Sequence, residues 1–414
     1  MTIIASAPGK VILFGEHAVV HGSHAVAAAL SSLRVFARLE PRSDNRVRIE
    51  LLDLGVWWED ETSALGITRA RGEAPEPPPS SKKPNGRALE LARRLEAPLV
   101  AVAYLCAELC DAEGATLAVK SGGLPAGAGL GSSAAVAVAC AAALCVGATG
   151  ALRKDVANAW AFAAEVVQHG RPSGLDNALS CYGGGVVAVR RGAGLERNTL
   201  EIPPLKLLIT NTRVARSTKE LVAKVAAEFE AAPGPVRRLF DAIDTIALDF
   251  ASACRENRVA TPFVARLVRL NHALLRALGA SHPALEAVAD MATEAGAPAT
   301  KLTGAGGGGC AITLLHDAEG IEIADDKVRR LVQKLRRRGF DCYQTDLGGP
   351  GVRCYDDDDD DEPPGATPFD DDDDDKKKNG SSRPHSSSLA VMVAAVVLLL
   401  SFALLKNRAG SAAR

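Results

Sequence analysis

Residues Gly122 to Leu144, GGLPAGAGLGSSAAVAVACAAAL, set five glycines and a proline directly before a run of alanines, valines and leucines that has no polar face. A helix that is apolar on every side belongs inside a protein. A helix starting near Ser132 would also present unpaired N–H groups and the positive end of its dipole. Glycines ahead of it let a phosphate approach those groups with no Cβ in the way. A purely structural alternative, a glycine turn capped by Ser132 against a buried helix, explains the stretch equally well by itself. Two familiar phosphate loops are absent: no lysine follows the last glycine as GxxxxGK[ST] requires, and no GxGxxG follows an evident strand with a ribose-binding acid downstream.

The chain has 414 residues, enough for two domains and extra segments. Its nine cysteines form no CxxC pairs, so neither a zinc site nor a disulfide framework is expected, and the thiols read as buried in a reducing compartment. The opening MTIIASAPGKVILFGEH lacks the basic stretch and unbroken apolar core of a secretory signal. From Asp356 the composition changes to two blocks of six aspartates with prolines, serines and almost nothing to bury, which reads as a disordered linker over 356–388. Residues 389–405, LAVMVAAVVLLLSFALL, are 17 uncharged, mostly apolar residues. As a helix they would span roughly 25 Å, enough to enter a bilayer. Lys376 to Lys378 and Arg383 favour keeping the preceding part in the cytosol, with 406–414 crossing as a short stub. The expected arrangement is a tail anchor in an organelle membrane, endoplasmic reticulum or peroxisome. Residues 356–414 hold thirteen acids and seven bases, a net of −6 against −2 for the whole chain, so the preceding part carries +4. That suits a small polyanionic substrate and is too weak, with too few aromatics, for nucleic acid.

Strand and helix patterns alternate over residues 1–355, as in α/β or α+β folds. GKVILFGE and HAVAAAL read as strands, and LRVFARLEPRSDNRVRIELLDLG predicts a hairpin turning at RSDN. Helical patterns cover 88–110, 132–146 and 155–169, and the chain is helix-rich from the strand near 205–210 to about Glu294. Late strands, CAITLLH and GFDCYQTDLG, flank a helix near 327–338. The boundary between two domains, 1–205 and 206–355, falls in the stretch 195–215.

Two further stretches, APGKVILFGEHAVVHG (Ala7–Gly22) and KLTGAGGGGCAI (Lys301–Ile312), complete a three-part signature with PAGAGLGSSAA. On these motifs the chain resembles the GHMP kinase superfamily, most closely its mevalonate kinase branch, over about residues 3 to 350. The resemblance implies a two-domain α+β fold, an α/β nucleotide-binding domain followed by a ferredoxin-like one. It also implies transfer of the γ-phosphoryl group of ATP, with Mg²⁺, to the primary hydroxyl of mevalonate, and a homodimer as the usual assembly. It assigns Asp176 as the carboxylate that takes the hydroxyl proton and Lys10 as its neighbour and phosphoryl partner. Ser121, Gly127, Ala128, Gly129, Leu130, Gly131, Ser132 and Ser133 would hold the nucleotide, and Ser133 and Glu165 the Mg²⁺. Glu16, His17, Arg216 and Thr218 would border the acceptor.

Each of these residues also has a reading without chemistry. Glu165 lies in DVANAWAFAAEVVQHG, a helix expected to start at an Asp155 cap, where a charged side chain would ordinarily face water. Asp176 reads as an acid three positions after a Ser173 cap, Lys10 as an exposed strand-end lysine, and His17 as a satisfied structural histidine. Ser217 reads as a helix cap and Arg216 as a surface arginine. A phosphomevalonate kinase, a galactokinase-type sugar kinase and an inactive tethered binding module are the alternatives. The presence of Lys10, Glu165 and Asp176 together weighs against the last.

Overall fold

The computed structural model describes residues 1–356 and Phe369, except 71, 73–75, 77–85, 87–89, 92–93, 171, 193 and 317–319. The apolar segment 389–405, its acidic approach apart from Phe369, and most of residues 71–89 ahead of the first helical pattern therefore lie outside the described residues.

Two sheets organise these residues. Strand β1 (Ile3–Phe14) runs antiparallel to β2 (His24–Pro41), an 18-residue strand that unites HAVAAAL and LRVFARLE in one element. The first sheet has the order β12 (Arg353–Asp356), β1, β2, β5 (Gly114–Gly122), β3 (Arg46–Leu51), β4 (Val56–Glu61), with β6 (Gly185–Arg191) on the early part of β2 and β7 (Gly194–Leu200) on β6. The expected hairpin across RSDN does not form. Strand β5 (Gly114–Gly122) inserts between β2 and β3 (Arg46–Leu51), antiparallel to the first and parallel to the second. Strand β3 makes its hairpin with β4 (Val56–Glu61) instead. The turn residues hold β5 in place, Arg42 N–H donating to Gly114 O at 3.0 Å and Asn45 N–H to Glu113 O at 3.0 Å.

Helix α1 (Ala97–Leu109) and helix α2 (Ser132–Thr149) cover one face of this sheet with α3 (Lys154–His169). Among the described residues α2 alone is long and apolar enough to cross a membrane, and its alanines are buried against β1, β2 and both flanking helices. Small side chains allow that approach: a Cβ at Gly147 would lie 2.7 Å from Leu39 Cδ2. Short helix α4 (Leu175–Tyr182) closes against β1.

The second sheet, β11-β8-β10-β9, is antiparallel throughout, with β8 (Lys206–Asn211), β9 (Thr300–Leu302), β10 (Cys310–Leu314) and β11 (Asp341–Asp346). Helices α5 (Thr218–Ala231), α6 (Pro233–Arg255), α7 (Thr261–Ala277), α8 (Pro283–Glu294) and α9 (Asp325–Arg337) supply the rest of that domain. Their core gathers Phe240, Leu275, Leu302 and Leu335, all at 0% exposure, as amphipathic helices on a sheet require. The chain passes from the first sheet to the second between β7 and β8, and it then crosses back: β12 (Arg353–Asp356) pairs antiparallel with β1 of the first sheet. Phe369, in the segment expected to have nothing to bury, is 2% exposed against the first sheet.

Candidate active site

The site forms where β1 passes the start of α2. A break in register between Pro8 and Lys10 re-aims the strand. Lys10 N–H donates to Leu130 O at 2.8 Å, which ties strand to loop. A Cβ at Gly9 would meet Leu130 O at 2.8 Å, and one at Gly131 would meet Lys10 Cγ at 2.9 Å, so glycine is what lets the two segments touch. Lys10 is thus a largely buried mid-strand residue, and its Nζ stands 3.4 Å from Asp176 Oδ2. Asp176 lies in the first turn of α4, whose N-cap is the left-handed Gly174 rather than Ser173. Ser173 Oγ, one residue before the cap, accepts from Leu175 N–H at 3.3 Å, and the Asp176 carboxylate reaches across to the strand.

Gly127, Gly129 and Gly131 all take left-handed φ, 69°, 83° and 74°, conformations that L side chains resist. Gly131 is the N-cap of α2 and no side chain caps that helix, so Ser132 does not take the capping role. The first N–H groups of α2 face the loop. Ala128 and Leu130 turn inward and are buried. The second glycine stretch packs on the first through Arg216. That guanidinium donates to Ala128 O at 3.1 Å and to Thr303 O at 3.4 Å, and it fills the space where a Cβ at Gly129 or Gly309 would stand. Arg216, expected to border the acceptor, has two of its donors on main-chain carbonyls.

Glu165 settles the choice between wet face and interior: it is 5% exposed. Its helix starts from Arg153, with Asp155 inside the first turn. Burial pushes the Glu165 carboxyl above the usual range. His169 and the Ser133 hydroxyl partly offset this, and the Asp176 charge adds to it. Its Oε1 is buried without a hydrogen-bond partner, 3.8 Å from His169 Nε2. That same nitrogen is 3.3 Å from Ser133 Oγ. A buried carboxylate oxygen lacking a partner beside a serine hydroxyl and a helix N-terminus is a fitting donor set for a hard cation that brings phosphate oxygens with it. No cluster of three or more His, Cys, Asp or Glu side chains that could hold a metal exists among the described residues.

Two expected residues face elsewhere. Glu16 does not border an open acceptor site: it is 1% exposed, forms an ion pair with Lys301 Nζ, and its Oε2 accepts from Asn271 Nδ2 at 3.2 Å. Burial pushes Glu16 up and Lys301 down, each group holding the other charged. Ser121 has both its polar groups engaged, N–H on Asp53 Oδ2 at 2.6 Å and Oγ on Leu124 O at 2.7 Å. His17 has an uncommon φ of 62° and its Nε2–H donates to Ala305 O at 2.8 Å, linking the end of β1 to the second glycine loop. Burial lowers its pKa, and the hydrogen bond to Ala305 opposes this only in part. Thr218 opens α5 and is exposed, while Ser217 caps that helix by accepting from Glu220 N–H at 3.3 Å. Of the two tryptophans in DLGVWWEDE, Trp57 is exposed with the Arg48 guanidinium 4.8 Å above its ring, and Trp58 packs against the core.

Sequence reasoning missed His169, Asn271 and Lys301. Only Lys301 carried a signal, as the one charged residue entering an otherwise apolar strand at the head of the second glycine stretch.

The GHMP kinases N terminal domain family matches residues 93–185, and the GHMP kinases C terminal family matches 261–338. The mevalonate kinase of Mus musculus is 38% identical over 382 residues, 84% of this chain and 94% of the mouse protein. That of Candida albicans is 34% identical over 400 residues, 85% of this chain and 89% of the other. The crystal structure of L. major mevalonate kinase in complex with R-mevalonate has the same fold, with a TM-score of 0.64 at 24% identity, covering 83% of this chain and 95% of that one.

Proposed function

The chain belongs to the GHMP kinase family, in its mevalonate kinase branch, and on that premise we propose that it moves the γ-phosphoryl group of ATP to the primary hydroxyl of mevalonate. The acceptor oxygen forms the new P–O bond, the bond to the ADP oxygen breaks, and the hydroxyl proton passes to Asp176. Lys10 holds the Asp176 carboxylate in place through their ion pair and offsets charge on the phosphoryl group in flight. The N-terminus of α2, with Gly127 to Ser133, receives the phosphates through main-chain N–H groups. Glu165 and Ser133 hold Mg²⁺, which when bound neutralises phosphate charge. His17 and Thr218 border the acceptor.

The observation that carries this reading is the convergence of Lys10 and Asp176, 3.4 Å apart, on the loop that opens α2. A helix N-terminus alone would describe any anion site, whereas an acid and an amine beside it describe one that moves a proton. The test is ADP release by the full chain with mevalonate, phosphomevalonate, galactose and homoserine offered in turn. Turnover with mevalonate is expected; turnover confined to another of the four overturns the substrate assignment.

The tail suggests where this chemistry takes place. Residues 389–405 are long enough to enter a bilayer, and the lysines and arginine before them favour a catalytic part on the cytosolic side of an organelle membrane. Deleting 389–414 is expected to move the protein from the membrane pellet to the soluble fraction with its activity intact. Continued sedimentation of the deleted protein would remove the anchor from this reading.

A further inference from the structure

Between Tyr355 and Leu389 the sequence holds a single large apolar side chain, Phe369, set between Asp356–Asp361 on one side and Asp370–Asp375 on the other. That one ring is 2% exposed. It sits on Phe36 of β2 and Ala118 of β5, with Ile4 of β1 and Leu52 packed at the edges. The Arg38 guanidinium lies 4.7 Å from the ring centroid. These residues share one face of the sheet, because Ile4 pairs with Arg38, Ser6 with Phe36, and Arg38 with Ala118. The opposite face, through Ala5, Ala37 and Leu39, belongs to the core under α2. Phe369 therefore fills a socket on the side of the sheet opposite α2.

The socket is connected to the nucleotide loop in two ways. A Cβ at Gly122 would lie 2.5 Å from Phe36 Cε2, so the ring under Phe369 also abuts the first residue of that loop. Leu52 is followed by Asp53, whose Oδ2 accepts from Ser121 N–H at 2.6 Å. Ser121 in turn holds Leu124 O at 2.7 Å, and the Leu124 side chain lies against Gly9 next to Lys10. Among these contacts Phe36 and Leu52 are touched by Phe369 on one side and lead to the loop start on the other.

We propose that Phe369 is a docking residue whose ring, seated on the face of the first sheet opposite α2, braces the Ser121–Gly122 start of the nucleotide loop. The occupant of the socket is the chain's own segment around Phe369. Strand β12 ends at Asp356 opposite Ile3, and Tyr355 pairs with Ile4, itself part of the socket, so residues 357–368 have only to return the chain to its own neighbourhood. Pro363, Pro364 and Pro368 in that stretch reduce the freedom lost on docking. The Arg38 guanidinium lies over the ring, and an aromatic face is where a guanidinium is attracted once water is displaced. The consequence for nucleotide binding rests on the reading of 121–133 as the nucleotide loop; the docking itself does not.

The test is hydrogen exchange on the full chain, wild type against Phe369→Ala, with Phe369→Leu as the apolar replacement, followed by direct titration with ATP. Faster exchange is expected at residues 34–40 and 116–124 in the alanine variant, with protection largely kept by leucine. The dissociation constant for ATP is expected to rise about fivefold in the alanine variant, while the KM for the alcohol stays unchanged. Equal exchange in all three proteins overturns the dock. Faster exchange with an unchanged ATP constant overturns the brace, and protection that depends on protein concentration gives the ring to a second copy. Because exchange needs no turnover, a dock that fails is distinguishable from a wrong substrate.

Discussion

Arg216 and Gly129 are fitted to one another: the guanidinium occupies the place where a side chain at Gly129 would begin, and from there it donates to Ala128 O at 3.1 Å. The same side chain lies against Gly309, so one arginine joins two glycine loops that are far apart in sequence. Gly129→Ala would impose a left-handed φ of 83° on an L residue and displace the guanidinium together. The first cost alone is about 1 kcal/mol. The KM for ATP is expected to rise about tenfold, as it is for Arg216→Ala, with the double variant little worse than either alone. Initial-rate kinetics on the three proteins decide this, and fully additive effects would separate the arginine from the loop.

Asp176→Ala is expected to lower kcat by roughly 10²- to 10⁴-fold, the span of general acid–base contributions, with the ATP dissociation constant little changed. Lys10 remains in the variant, and so does the start of α2, which is why binding should persist. Single-turnover kinetics beside an ATP titration check the split. A variant with near-normal turnover would take the proton away from Asp176.

The convergence of Lys10, Glu165 and Asp176 on one glycine loop was legible in the sequence because each stands inside a motif whose partners recur as a set. The strands were legible one by one but not as neighbours. Alternating side chains tell which face of β2 and β3 is buried, and nothing in them announces that β5, more than sixty residues later, will separate the two. Glu16 was misplaced for a related reason: adjacency to His17 along the chain suggested a shared role, whereas successive residues after a strand point to different sides. Its partners, Asn271 and Lys301, come from the second domain and are invisible to any local pattern. Phe369 was hidden by its surroundings, since an acid-rich segment is read by composition and one ring does not alter the average.

Glu165 should link pH to both metal use and stability. Its native carboxyl titrates above its unfolded value, chiefly because of burial. Between those two pKa values the folded state keeps a proton that the unfolded state has lost, so this group's contribution falls as pH rises through that window. Without Mg²⁺ at about pH 8, Glu165→Gln is therefore expected to be more stable than the wild type by about 1 kcal/mol, the gain shrinking toward acid pH. With Mg²⁺ the order of function reverses. A cation competes with that proton, so the wild-type Mg²⁺ requirement should increase on acidification, while the glutamine variant requires more Mg²⁺ at every pH. Melting curves with a chelator and Mg²⁺ titrations at two pH values test both halves. A glutamine variant no more stable than wild type at about pH 8 would mean that the buried charge costs nothing.

The Glu16–Lys301 pair offers a sharper contrast, because both side chains are at 0% exposure and they form an ion pair with one another. Removing one charge strands the other. Lys301→Met leaves a carboxylate in a dry core with only the Asn271 amide for company, a loss of about 3–5 kcal/mol for pairs of this kind. Glu16 would then escape by taking up a proton, so its native pKa rises further and the variant should be more stable at about pH 5.5 than at about pH 8. Replacing both residues, Glu16→Gln with Lys301→Met, removes the stranded charge and is expected to recover much of the loss, since ion pairs in cores often add little over neutral packing. Urea unfolding of the three proteins at both pH values measures this. A double variant as unstable as Lys301→Met, with no pH dependence in the single one, would show that packing of the lysine stem holds the end of β1 to the second glycine loop.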